Sequence, residues 1–342
     1  MMTSRERFMA ALDGEPTDRV PLFPLLMFLA ADRAGITYRE YATNGRALAE
    51  AQLLVQERYD LDATTACSDA FRVTADLEAD MAYPLDKPPY ARAPVITGTT
   101  DLDTLVWRGP TDPQGRMGDR VQSVSEMAGA IGGQVAVLGW VDMPFAEACS
   151  VCGVAEFMLL LKDNPARAHK ILLLLTRIVI DFALAQLEAG ADMIGAGDAA
   201  ASLISAESYA EFALPYEQQV CQAIHDAGGL VKLHVCGNTT HLLEKMAASG
   251  ADLFNVDHLV SFESARDVYS ARQLCYKGNL DPVEQLMRAS AEQCRTAAHA
   301  CIAQAKGTRY MLSAGCEIPA ETPDPVFRAF CEAPKTYFGY EV

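Results

Sequence analysis

The sequence predicts an α/β protein of the (β/α)8 TIM-barrel class, with an N-terminal helical extension and a long insertion after the second strand. Eight short β-branched or apolar runs recur, near Arg19–Phe28, Asp62–Asp69, Gln134–Asp142, Ala191–Asp198, Leu230–Gly237, Ala251–His258, Gln273–Leu280 and Arg309–Ala314. Most are followed by a helix-length amphipathic segment, the sequence form of βα repetition. Several helices end in one phrase: Glu188-Ala-Gly-Ala-Asp192, Asp226-Ala-Gly-Gly229 and Ala248-Ser-Gly-Ala-Asp252. In each, a glycine can take the left-handed cap before the next strand. The ends of the runs collect Asp69, Asp142, Asp198, His234, Cys236, Asp257, Asp281 and Cys316. A barrel places its chemistry at that face.

The remaining elements follow from local signals. Thr3 and Glu6 have capping-box spacing before a helix running to Leu12. The stretch from Ala82 to Gly133 is rich in Pro, Gly and Thr, lacks a strand-helix rhythm, and reads as one elaborated connection. The most apolar segment, Ile171 to Leu187, carries Arg177 and Asp181 and reads as a buried barrel helix rather than a membrane span. No linker divides the chain, so residues 1–342 are expected to form one domain.

Composition narrows the function. A net charge of -17 repels polyphosphate, and no basic run offsets it, so nucleic acid is not an expected partner. With neither an apolar leader nor a membrane span expected, the protein is read as cytoplasmic, and its ten cysteines as reduced. Most of these, including Cys221, Cys294, Cys301 and Cys331, fit buried helix positions. Cys149 and Cys152 form a CxxC pair with no second pair to partner it, and Cys67 and Cys275 stand near other strand ends.

His234 and Cys236 are two apart in a strand pattern, so both side chains face one side while Leu233 and Val235 face the other. Alone, the pair also fits a core histidine beside a buried cysteine. Cys316 lies just past the eighth run, at the same predicted mouth. Two thiolates and an imidazole with an open fourth position form the pattern of a catalytic zinc site, and the soft ligands favour Zn2+ over magnesium or calcium.

These residues sit in longer motifs. Leu233-His-Val-Cys-Gly-Asn-Thr-Thr240 and Gly315-Cys-Glu-Ile-Pro-x-x-Thr-Pro323 resemble the two zinc motifs of the corrinoid methyltransferase branch of the uroporphyrinogen decarboxylase superfamily. Arg5-Glu-Arg-Phe-Met-Ala-Ala-Leu-x-Gly14, Asp18-Arg-Val-Pro21 and Gly278-Asn-Leu-Asp-Pro282 are similar to signatures of the whole superfamily. The resemblance spans nearly the entire chain. It implies zinc held by His234, Cys236 and Cys316. Asp257 matches the position of a displaceable fourth ligand, where the family more often has Glu.

The implied reaction moves a methyl group between a small methylated donor or a thiol acceptor and the cobalt of a cobalamin-type corrinoid carried by a partner protein. Asp198, Asp69 and Asp142 are candidates to orient substrate or protonate a leaving group, and each also fits a loop or helix cap. Gly197, in Gly195-Ala-Gly-Asp198, and Asn238, in the first zinc motif, are assigned to the side approached by the cofactor. Two alternatives stay open. Ser68-Asp69 resembles the catalytic pair of the decarboxylases, but the arginine-bearing segment that grips a polyacidic porphyrinogen is replaced by Leu22-Phe-Pro-Leu-Leu-Met-Phe28. That apolar run suits an uncharged or aromatic methyl donor. A silent barrel that binds zinc or a corrinoid protein is the other alternative.

Overall fold

The computed structural model describes residues 2–337. Seven parallel strands lie side by side in chain order in one curled sheet: β1 (Ala63–Thr65), β2 (Ala136–Asp142), β3 (Met193–Gly197), β4 (Leu230–His234), β5 (Leu253–Asn255), β6 (Cys275–Leu280) and β7 (Tyr310–Ala314). Helical connections separate most of them, as parallel neighbours require.

The expected first strand, Arg19–Phe28, is not a regular strand. It contributes only isolated bridges, Leu22 to Leu312 and Leu25 to Glu317, because Pro21 and Pro24 have no N–H to give a ladder. At Phe28 the chain turns into the helix Phe28–Ala34. The segment still joins the two sheet edges. Leu312 N–H donates to the Pro21 carbonyl at 2.8 Å, Phe23 N–H to Leu312 at 3.0 Å, and Asp62 N–H to Leu22 at 3.0 Å.

The insertion is more ordered than its composition suggests. It holds a two-stranded ribbon, Met81–Ala82 against Tyr90–Ala91, and then the helix Arg116–Ile131. Gly118 and Gly129 dilute the helical signal in that stretch, whereas its buried face of Met117, Arg120, Val124 and Met127 belongs to an ordinary barrel helix. The N-terminal helix Ser4–Asp13 carries the expected reciprocal cap between Thr3 and Glu6. The long helix Pro165–Glu188 buries Ile171, Leu175, Ile178 and Phe182. Among the described residues, no single helix is long and apolar enough to cross a membrane.

Strand alternation sorts the interior. Ala136, Leu138, Met193, Leu253, Cys275 and Met311 pack together beneath Phe8 and Phe23, which close the barrel from the N-terminal side. Residues of the same parity higher up the strands therefore face inward: Trp140, Asp142, Gly197, Lys232, His234, Asn255 and Lys277. Cap residues fix the register. Asp192 and Asp252, each following a left-handed glycine, accept the N–H of Val137 at 2.9 Å and of Val231 at 2.8 Å in the neighbouring strand.

Asp62 holds the seam. Fully buried, it accepts from Arg7 at 2.6 Å, from Arg19 at 2.7 and 3.1 Å, and from the Leu22 N–H at 2.7 Å. It thereby links the N-terminal helix, the proline-broken segment and the start of β1. Removing one member of such a set leaves guanidinium groups buried without their anion. Asp62→Ala is predicted to lower unfolding free energy by about 3–5 kcal/mol, read as the shift in a urea denaturation midpoint at unchanged slope.

Candidate metal centre

His234 ends β4 with its ring turned inward, and the next in-facing position is Cys236. Cys316 arrives from beyond β7, on the loop whose start is tied across the mouth by the Gly315 N–H donating to Leu280 at 2.8 Å. A side chain at Gly315 would strike the His258 backbone nitrogen at 2.3 Å, so the loop passes directly over the end of β5. Cys236 Sγ lies 3.1 Å from His234 Nε2 and 3.7 Å from Cys316 Sγ. All three ligand atoms fall within 4.8 Å of one another.

The donor set fits a metal ion. Two thiolates sharing one tetrahedral zinc stand roughly 3.8 Å apart, close to the sulfur separation found. His234 Nδ1 faces the Asn255 carbonyl at 3.2 Å, which fixes the tautomer that leaves Nε2 free to coordinate. Hydrogen bonding from Cys236, then from His234, holds the Cys316 thiol down at about 3, while the same contact and burial push Cys236 up.

Asp257 stands beside this set rather than in it. Its oxygens accept the N–H groups of Gly237 and Leu259, each at 2.9 Å, and its neighbour His258 lies 3.2 Å away. The carboxylate braces the loop that carries Cys236.

The other predicted residues separate. Asp142 is in-facing and pairs in register with Gly197, which pairs with His234; two strand spacings put Asp142 roughly 10 Å from the histidine. It accepts from the fully buried Arg72, and burial raises it to about 6. It also lines a cavity of about 630 Å3 whose walls are mostly apolar, among them Phe71, Pro94, Ala146, Ala199 and Leu203. Asp69 is spoken for by Ser68 at 2.7 Å, Arg116 at 2.7 Å and the Phe71 N–H at 3.0 Å.

Asp198 has outward parity and is fully buried in the helical layer, where burial and then Glu217 push it well up. Gly197 makes room: an added side chain would meet Asp142 Oδ1 at 2.8 Å and Trp140 at 3.4 Å. Asn238 is exposed and closes its own loop on Thr240, at 3.1 Å to its N–H and 2.8 Å to its hydroxyl. Cys149 and Cys152 are buried in the helix Pro144–Cys152, and burial pushes both thiols up, Cys152 to about 12.

Sequence reasoning missed two lysines. Lys232 and Lys277 are fully buried inside the barrel beneath the triad. Burial lowers Lys232 to about 8 and, helped by Lys232, pushes Lys277 well down. The alternation that selects His234 also selects Lys232, so a charged residue in an otherwise apolar strand was the available signal.

Fold and site together define a β/α barrel whose mouth carries two cysteines and one histidine that could hold a metal ion. Residues 3–337 match the uroporphyrinogen decarboxylase (URO-D) family, and the chain belongs to it. A methylcobamide:CoM methyltransferase of Methanosarcina acetivorans is 27% identical, covering 98% of both chains. A methylated-thiol--coenzyme M methyltransferase of Methanosarcina mazei is 26% identical, covering 98% of this chain and 89% of that protein. A uroporphyrinogen decarboxylase of Alcanivorax borkumensis is 26% identical over 81% of this chain and 82% of its own length. Among solved structures, a methyltransferase from Methanosarcina mazei superposes with a TM-score of 0.89 at 22% identity, covering 99% and 100% of the two chains.

Two outcomes are expected. Cys236→Ala and Cys316→Ala each lose the metal on dialysis, seen by elemental analysis. Asp198→Asn keeps it and changes the pH dependence of stability. A carboxyl raised in the folded state holds its proton while the unfolded chain loses one, so stability falls as pH rises above the ordinary carboxylate range. The asparagine variant flattens that fall, measured as melting temperature from about pH 5 to 8.

Proposed function

We propose that this protein is a zinc-dependent methyltransferase, one barrel domain that moves a methyl group between a small substrate and the cobalt of a corrinoid carried by a separate protein. The observation that carries the reading is the convergence of His234 Nε2, Cys236 Sγ and Cys316 Sγ at the barrel mouth. The two full-length methyltransferase relatives support it. The three side chains would hold the metal. When bound, zinc supplies Lewis acidity, keeping a thiol ionised or drawing charge from the oxygen, nitrogen or sulfur of a methylated donor.

The chain's own residues supply position and environment. The Asn255 carbonyl keeps Nε2 toward the sulfurs, and Asp257, which stands outside the three-ligand cluster and braces the Cys236 loop, leaves the fourth position to substrate. The cavity beside Asp142 takes the body of an apolar or aromatic substrate, which orients the group to be demethylated. Asp142, held by Arg72, faces that substrate as the proton donor or hydrogen-bond partner. Asp69 is committed to Arg116 and has a structural part. Decarboxylation is the weaker reading, since the apolar segment after Pro21 offers no guanidinium to a polyacid.

A panel of methoxylated aromatics and methylamines against cob(I)alamin, and of thiols against methylcobalamin, followed by visible spectrum, tests this. Turnover in at least one direction is expected, abolished in His234→Ala and reduced by about tenfold or more in Asp142→Asn. Turnover of uroporphyrinogen by Cys236→Ser would instead establish the decarboxylase. Metal binding without methyl transfer from any donor would establish a silent barrel.

A further inference from the structure

A helix packed on a barrel turns its apolar stripe to the core and its charged residues to water. The helix Val154–Asp163 does not. Its run Phe157-Met-Leu-Leu-Leu161 is apolar throughout, yet Phe157 is its one buried residue. Leu159 is 63% exposed and Val154 47%. The chain turns by 109° between the buried helix Pro144–Cys152 and this one, through Gly153 in the left-handed region. Apolar surface left open in this way marks a contact with another molecule.

The charges on the helix identify that molecule. By helical periodicity Leu159 is central on the side away from Phe157, with Glu156 three residues before it and Lys162 three residues after it, on opposite flanks. Neither Glu156 nor Lys162 forms an ion pair with any described residue. Across a two-fold axis through Leu159, an antiparallel second copy sets each residue against the one equally far on the other side of Leu159. Leu159 then meets Leu159, Met158 meets Leu160, and Glu156 meets Lys162 twice over. Asp163 meets Ala155, so no like charges coincide. An unrelated partner would have to bring the complementary pattern; this helix carries both halves of it.

We infer that the helix Val154–Asp163 is a contact between two copies of this chain, paired antiparallel about Leu159. A helix of 10 residues is about 15 Å long, so the pair buries less than the roughly 1,200 Å2 of a permanent interface, and association is reversible at micromolar concentration. The contact reaches the mouth. Val154 and Glu156 also line the cavity of about 630 Å3, so in the dimer Lys162 of one copy stands at the cavity wall of the other. The pairing does not depend on the methyl-transfer reading; where that reading holds, a charge from one copy borders the substrate of the other.

Sedimentation velocity of the full chain from about 1 to 200 μM tests this. The average mass of the wild type is expected to rise from that of one chain toward that of two. Leu159→Asp, which puts two carboxylates on the axis, holds it at one chain, and an unchanged melting temperature shows that the fold is intact at this exposed position. Glu156→Lys and Lys162→Glu each weaken association by about fivefold or more, because like charges then face each other, and combining the two returns it to within about twofold of wild type. Wild type that stays a single chain over the whole range overturns the proposal, and its sedimentation with phosphatidylcholine vesicles would assign the face to a lipid surface instead. A dimer that survives Leu159→Asp, or single reversals that the double variant does not rescue, overturns it as well.

Discussion

The seam closed by Asp62 is the constraint on which the mouth of this barrel depends. Seven strands pair in regular ladders, but the place where β7 must meet β1 is occupied by a segment that two prolines keep from pairing regularly. A buried carboxylate bound to two arginines and a backbone N–H takes over the work that ladder hydrogen bonds do elsewhere. Because β7 is held there, the loop after it crosses the mouth, and Cys316 meets residues from β4. The candidate metal triad is a long-range contact, joining positions 236 and 316, and it exists only if the ring closes.

The electrostatics of the mouth divide into two regions. On one side stand the sulfurs, with the Cys316 thiol held down by its contacts to Cys236 and His234 and with Lys232 buried beneath them. On the other side Asp69, Arg72, Arg116 and Asp142 neutralise one another next to an apolar cavity. The separation suits a reaction in which charge changes at one end of a substrate while its uncharged body is gripped at the other. It does not suit a polyacid, which needs cations spread over the whole cavity.

Much of this was legible in the sequence, for identifiable reasons. Period-two alternation places His234 and Cys236 on one face, and the repeated Gly-Ala-Asp phrase marks helix ends whose aspartates cap the adjacent strand. Less legible were the surroundings of residues just beyond strand ends. Asp198 follows Gly197, and a shift of one residue turns it out of the barrel into the helical layer beside Glu217. Asp257 has inward parity, and each of its oxygens accepts a backbone N–H that sequence does not reveal. The helix Arg116–Ile131 was hidden by its glycines, and Lys232 by the habit of reading lysine as exposed.

On the proposed reading, His234, Cys236 and Cys316 hold one metal ion with a fourth position open to exchange. X-ray absorption at the zinc edge of the purified protein, before and after adding a small thiol, addresses it most directly. Two sulfur and one nitrogen neighbours from the protein are expected, with one light exchangeable atom that a third sulfur replaces when thiol is added. A first shell that does not change with thiol, or protein that contains no metal when prepared without chelators, would contradict it.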